Sequence, residues 1–193
     1  MNITVYCGAH SGSDPEFTAR ARELGVWMAS NGHRLVYGAG NDGMMGAISH
    51  AVISNGGETT GVTPAFFIEA EETRDDLTEL IVAPDMPSRR DKMIELGDAF
   101  IALPGGTGTL DEITEVMAIK RLGRLGSRNK PIILYNVNGY YDDFFRFLDR
   151  MAENDFCRKS DRDNFINAVC LADIISALAA AGEHDHSRNL KYD

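Results

Sequence analysis

A chain of 193 residues, 44% hydrophobic and 25% charged, has the length and apolar content of one globular domain with a sizeable core. Its formal net charge of −10 argues against an extended nucleic-acid footprint, which needs a basic face, while leaving room for a local basic pocket around one phosphate. Cys7, Cys157 and Cys170 are scattered and form no C-x-x-C pair, so they read as reduced thiols of a cytoplasmic protein; the opening MNITVYCG lacks the marks of a signal peptide, and no apolar run approaches the ~20 residues of a membrane span.

Strand and helix signals then alternate along the chain. ITVYC (3–7) is a β-rich run closed by Gly8. Asp14-Pro15 supplies a cap and first-turn pair for a helix in which Phe17, Ala21, Leu24 and Met28 recur at helical spacing, until Asn31-Gly32 stops it. RLVYG (34–38) predicts a second strand, GMMGAISHAVISNGG (43–57) a glycine-ended helix, TTGVTP (59–64) a third strand and LTELIVA (77–83) a fourth. Between the last two, EAEETRDD (69–76) reads as a solvated loop. PSRRDKMIELG (87–97) predicts a helix, AFIALP (99–104) a fifth strand, and a further helix follows over about 109–122, with the cations of KRLGRLGSRNK (120–130) at its C-terminal end. PIILYN (131–136), YDDFFRFLDRMAEN (141–154), INAVC (166–170) and LADIISALAAAG (171–182) complete the series as strand, helix, strand, helix. EHDHSRNLKYD (183–193) has the composition of a disordered tail.

Repeated βα units with short, nearly all-apolar strands indicate the α/β class: a single Rossmann-like, doubly wound domain over residues 1–182, its mostly parallel sheet covered by helices on both faces. In such sheets ligands bind beyond the carboxyl ends of the strands. Nearly every unusual residue of this chain follows a strand: CGAHSGS, with Ser11, after the first; YGAGNDGMMG after the second; Thr63-Pro64 after the third; PDMPSRRDK after the fourth; and PGGTGTLDE after the fifth.

The last of these loops carries the most chemistry. Gly105, Gly106 and Gly108 would let backbone N–H groups approach an anion, the following helix adds free N–H groups and the positive end of its dipole, and Thr107 and Thr109 add hydroxyls. No Lys-Ser/Thr follows, so it is not a P-loop. Glu112 has two open readings: the acid of a capping box begun by Thr109, or a functional carboxylate. Arg89 and Arg90 open a helix against its dipole and call for an anionic partner, either a ligand or Asp85 and Asp91. GAGNDG (38–43) matches G-x-G-x-x-G after a strand, but the acid expected for a dinucleotide ribose is misplaced, since Glu58 precedes the next strand instead of ending it. Gly40 and Gly43 then read as giving a smaller nucleotide close approach. No zinc-ligand spacing is present.

Two stretches resemble the hallmarks of the Lonely Guy family of cytokinin-activating nucleotide hydrolases, whose members are often mislabelled lysine decarboxylases. P-G-G-x-G-T-x-x-E stands at 104–112, and M-x-x-R-K-x-x-M at 86–93 with Arg90 in place of its lysine. Similarity extends over about 3–156. The chain departs from the family's C-G-S-S at Cys7-Gly8-Ala9-His10, and from its T-W-x-Q-L at AIKRL (118–122). These departures bear on base and side-chain preference.

The resemblance implies cleavage of the N-glycosidic bond of a purine nucleoside 5′-monophosphate, AMP or N6-substituted AMP, giving free base and ribose 5-phosphate. It implies Arg89 and Glu112 as catalytic residues. Gly105, Gly106, Thr107, Gly108 and Thr109, with Met86, Arg90, Gly40, Gly43 and Ser11, are expected around the substrate and its phosphate. No metal or other cofactor is implied, nor a nucleic-acid or membrane partner. A homodimer is implied, with the helix over 115–122 at its interface. The rival readings are a non-catalytic nucleotide-binding or cofactor-carrier protein on the same fold, a pyridoxal-dependent decarboxylase, for which no lysine has a convincing setting, and a dinucleotide-dependent oxidoreductase.

Overall fold

The computed structural model describes residues 1–69, 73–126 and 130–189. Seven strands, β1 (Asn2–Tyr6), β2 (Arg34–Tyr37), β3 (Thr59–Pro64), β4 (Glu79–Ala83), β5 (Ala99–Ala102), β6 (Ile132–Tyr135) and β7 (Phe165–Ala168), form one sheet in the order β4-β3-β2-β1-β5-β6-β7. Every neighbouring pair is parallel. The expected parallel, doubly wound sheet is therefore present. Its strand order reverses at β1, which lies between β2 and β5, and the register there pairs Tyr6 with Ala102.

The helices are α1 (Pro15–Ser30), α2 (Gly43–Ser54), α3 (Ala65–Glu69), α4 (Met86–Leu96), α5 (Thr107–Arg121), α6 (Asp142–Glu153), α7 (Lys159–Arg162) and α8 (Leu171–Asn189). Alternation along each strand divides the core in two. Ile3, Val5, Leu35, Tyr37 and Ile101 pack with Leu24, Met28, Ile48, Ile174 and Leu178 of α1, α2 and α8. Tyr6, Val36, Val62, Phe100 and Ala102 pack on the opposite face with Met93, Ile113, Val116, Phe145 and Leu148 of α4, α5 and α6. Strands buried on both faces explain the near-continuous apolar runs.

Several boundaries differ from expectation for identifiable reasons. β4 begins at Glu79 rather than Leu77, because Thr59 and Thr78 exchange backbone-to-hydroxyl bonds of 3.0 and 3.2 Å in place of a ladder pair. The helices α3 and α7 and a 3-10 turn at Val137–Gly139 are too short to leave a periodic signal. α8 continues through Asn189, beyond Gly182, where its end was expected. A glycine inside a helix costs only about 1 kcal/mol, and EHDHSRN contains no proline. Residues 190–193 of the expected tail lie outside the described residues, as do 70–72 of the acidic segment and 127–129 of the basic one. The rest of the acidic segment folds back onto the loop after β2: Gly40 bridges Thr73, and Arg74 N–H donates to Ala39 O at 2.9 Å. Among the described residues, no helix is long and apolar enough to cross a membrane.

Candidate active site

At the point of strand reversal, the loops after β1 and β5 meet. Leu103 N–H donates to Tyr6 O at 2.9 Å, and Gly8 N–H to Pro104 O at 3.1 Å. The contact leaves no room for larger residues. A Cβ on Gly105 would lie 2.7 Å from Gly8 N and 2.2 Å from Thr109 Oγ1. Gly106 and Gly108 differ. Neither has positive φ, and a Cβ on either would meet no atom within 4 Å. Nothing in the described fold requires glycine at these two positions, and both line an open cleft of about 560 Å³, within the usual size of small-molecule sites.

The helix after this loop starts at Thr107, two residues earlier than expected, with Gly106 at the cap position and no side-chain cap. Thr109 is therefore the third helical residue and is buried, and the capping-box arrangement with Glu112 does not form. Glu112 instead accepts a hydrogen bond from Arg89: Nη1 lies 2.7 Å from Oε1, with the two side chains 10% and 13% exposed. Burial pushes the Glu112 carboxyl above the usual carboxylate range, against the lowering effect of Arg89.

Arg89 is held from three sides. Its Nε donates to Val62 O at 3.0 Å, at the end of β3. Its Nη1 reaches Glu112 on α5. Its Nη2 lies against Gly38, where a Cβ would come within 2.2 Å. The first glycine of GAGNDG thus makes room for a guanidinium. Gly43, at φ +60°, allows the start of α2 to approach β1's loop, since a Cβ there would stand 2.1 Å from Ala9 O. It does not line the cleft, unlike the other expected substrate-side residues.

Arg90 turns elsewhere. Its Nη1 donates to Asp111 at 3.2 Å, and its Nε lies 2.9 Å from Glu115, in an ion pair without good hydrogen-bond alignment. Both arginines therefore meet acids of α5, rather than Asp85 or Asp91. Asp85 is occupied as the cap of α4, accepting from Ser88 N–H at 2.8 Å.

The cleft brings together Ser11, Gly40, Met86, Arg89, Arg90, Gly105, Gly106, Thr107, Gly108, Thr109 and Glu112. It also includes residues that sequence reasoning did not select, among them Gly38, Met45, Phe67, Asp111 and Tyr140. Tyr140 follows β6, so the strand-edge rule applied to NVNGYY would have found it. The short helix bearing Phe67 left no such signal. Burial pushes the Cys7 thiol in the cleft wall strongly up, which disfavours its thiolate form. Among the described residues, no group of three or more His, Cys, Asp or Glu is arranged to hold a metal ion.

Comparison with known proteins bears on the family and the fold. Residues 45–178 match the family described as "Possible lysine decarboxylase". The chain is 40% identical over 180 residues to a cytokinin riboside 5′-monophosphate phosphoribohydrolase of Rhodococcoides fascians, covering 93% of this chain and 88% of that protein. It is 36% identical over 178 residues to one of Arabidopsis thaliana, covering 92% and 77%. Among solved structures, the molybdenum cofactor binding protein of Rippkaea orientalis shares the fold with a TM-score of 0.70 at 22% identity, covering 93% of this chain and 95% of that one. By this family match and these relatives, the chain belongs to the Lonely Guy family of phosphoribohydrolases, the group that carries the lysine decarboxylase label.

Proposed function

We propose that the cleft hydrolyses the N-glycosidic bond of a purine nucleoside 5′-monophosphate, AMP or an N6-substituted AMP, to free base and ribose 5-phosphate. The observation that carries this reading is the buried Arg89–Glu112 pair at the strand reversal, within one cleft with the Gly105–Thr109 turn. Named relatives with this activity supply the reaction class.

The 5′-phosphate lies against the open amides at the start of α5, where Gly106 and Gly108 keep side chains out of its way. Breaking the bond between ribose C1′ and the base nitrogen leaves positive charge on the ribosyl ring. The Glu112 carboxylate stabilises that charge and orients the attacking water, whose oxygen joins C1′. The attacking water keeps one hydrogen as the new C1′ hydroxyl and gives up the other, and the departing base takes up one proton, so one water is consumed for each bond broken. Arg89, with two of its five donors committed to Val62 and Glu112, fixes the carboxylate and faces the base with the remainder. Remote phosphate binding positions C1′ for this step. The mechanism uses no metal or organic cofactor.

The runner-up is a non-catalytic carrier, suggested by the shared fold of the molybdenum cofactor binding protein. Relatives named for the hydrolase activity favour that reading over the carrier, whose likeness is of fold alone. The protein acts as a cytoplasmic homodimer in this reading, and Leu122, 71% exposed at the end of α5, fits an interface there. Light scattering checks the dimer. The direct test of function is a product assay over purine and pyrimidine monophosphates and their nucleosides. Release of adenine and ribose 5-phosphate from AMP is expected; binding of AMP without product favours the carrier.

A further inference from the structure

The turn that opens α5 is fixed by hydrogen bonds to three successive carbonyls. Tyr141 Oη donates to Leu103 O at 2.7 Å, Gly8 N–H to Pro104 O at 3.1 Å, and Tyr140 Oη to Gly105 O at 2.6 Å. The two tyrosines are adjacent in sequence but differ in setting. Tyr141 is buried, whereas Tyr140 is 44% exposed and lines the cleft, held edge-on by Phe17 and Tyr141 at centroid distances of 5.5 and 5.0 Å.

In a trans peptide the N–H points opposite to the carbonyl of the same plane. Each bond to a carbonyl therefore also aims the amide that follows it. After Leu103 comes Pro104, which has no N–H to aim. After Gly105 comes Gly106, the cap residue of α5, whose neighbours Thr107 and Gly108 carry the first open amides of that helix. Gly106 has no Cβ, and one there would meet no atom within 4 Å, so no side-chain packing at this residue fixes the orientation of its amide.

We propose that Tyr140 is a positioning residue for the 5′-phosphate: its hydroxyl, bonded to Gly105 O, turns the Gly106 amide toward the anion held at the start of α5. This deepens the phosphoribohydrolase reading and rests on its phosphate site. Tyr141 supplies an internal contrast, because its hydroxyl braces the same turn without aiming an amide.

The test compares Tyr140→Phe and Tyr141→Phe with wild type in two assays: calorimetric binding of ribose 5-phosphate, and steady-state cleavage of AMP and adenosine. Removing the Tyr140 hydroxyl is expected to weaken ribose 5-phosphate binding about tenfold and raise KM for AMP by a similar factor, with kcat within about threefold and kcat/KM for adenosine unchanged. Tyr141→Phe is expected to lower the melting temperature and leave ribose 5-phosphate affinity at the wild-type value. The proposal is overturned if Tyr140→Phe binds ribose 5-phosphate normally, if both variants lose affinity alike, or if kcat falls while KM holds. The binding arm requires no turnover. Wild type that binds ribose 5-phosphate but cleaves no nucleotide overturns the hydrolase reading while the Tyr140 comparison still decides this one; wild type that does not bind ribose 5-phosphate overturns the phosphate site and the proposal with it.

Discussion

Arg89 and Glu112 stand 23 residues apart in the chain and 2.7 Å apart in the fold, one from the first turn of α4 and the other from the second turn of α5. The pair joins the starts of α4 and α5 into one unit, and each member constrains the other. An arginine stays charged at any working pH, so the buried carboxylate beside it has a permanent partner.

Glu112→Gln should retain AMP binding and lose two to three decades of turnover. The swap preserves size and one acceptor for Arg89 while removing the charge that stabilises the ribosyl cation, and losses of about a hundredfold to a thousandfold are typical of one electrostatic group. Single-turnover release of adenine measures it. Turnover at the wild-type rate would assign Glu112 a structural role only.

AMP should be cleaved far better than adenosine. The open amides and bare glycines at 106 and 108 offer little to an uncharged 5′-hydroxyl. Comparison of kcat/KM for the two substrates checks this, and equal values would remove the phosphate from the cleft.

Arg89→Lys should reduce turnover strongly, whereas Arg90→Lys should stay within about tenfold of wild type. Arg89 uses separate nitrogens for Val62 and Glu112, a division that one ammonium cannot reproduce. Arg90 makes ion pairs with Asp111 and Glu115 on the rim, and a lysine can keep one of them. AMP hydrolysis with circular dichroism as the folding control separates the two; the reverse ranking would move the catalytic assignment from Arg89 to Arg90.

Gly38→Ala should fold normally and lose more than tenfold in turnover. The new methyl would stand 2.2 Å from Arg89 Nη2 and 3.1 Å from Met45 Sδ, both on flexible side chains that can move aside. The fold survives that shift, but the Arg89–Glu112 geometry does not. Thermal denaturation alongside the assay is the check, and unchanged turnover would show that the guanidinium position is not critical.

Activity and stability should change in opposite directions on acidification through the range where Glu112 titrates. Its folded-state carboxyl lies above the ordinary value of about 4.3, so the native state holds this proton more tightly than the unfolded chain does. Stability from this group is greatest below the unfolded value and is lost as pH rises through the folded one. In the proposed mechanism the reacting form is the carboxylate, so activity is expected to rise over the same window. A pH profile of kcat/KM should show its acid limb above the ordinary glutamate range while circular dichroism shows intact fold; an acid limb coinciding with unfolding would contradict this.

Much of the architecture was legible without coordinates. Short apolar runs bounded by turn residues and period-3.6 apolar patterns do not depend on distant contacts, so all seven strands and the longer helices could be placed, and parallel topology alone put the loops after the strands on one edge. The sequence by itself also identified the glycine-rich turn, the arginine pair and Glu112 as unusual for their positions. It left open whether Glu112 caps its own helix or serves a site, because Thr109 and Glu112 have the spacing of a capping box either way. Tertiary structure removed the capping box by starting α5 at Thr107, and it gave the carboxylate Arg89 as its partner. It likewise separated Arg89 from Arg90, assigned Gly38 to the space beside a guanidinium, and brought Tyr140 to the glycine-rich turn across 35 residues. These outcomes depend on which loops the order β4-β3-β2-β1-β5-β6 brings together, and on how closely two backbones approach there. Those are properties of the packed sheet, and local propensity carries no record of them.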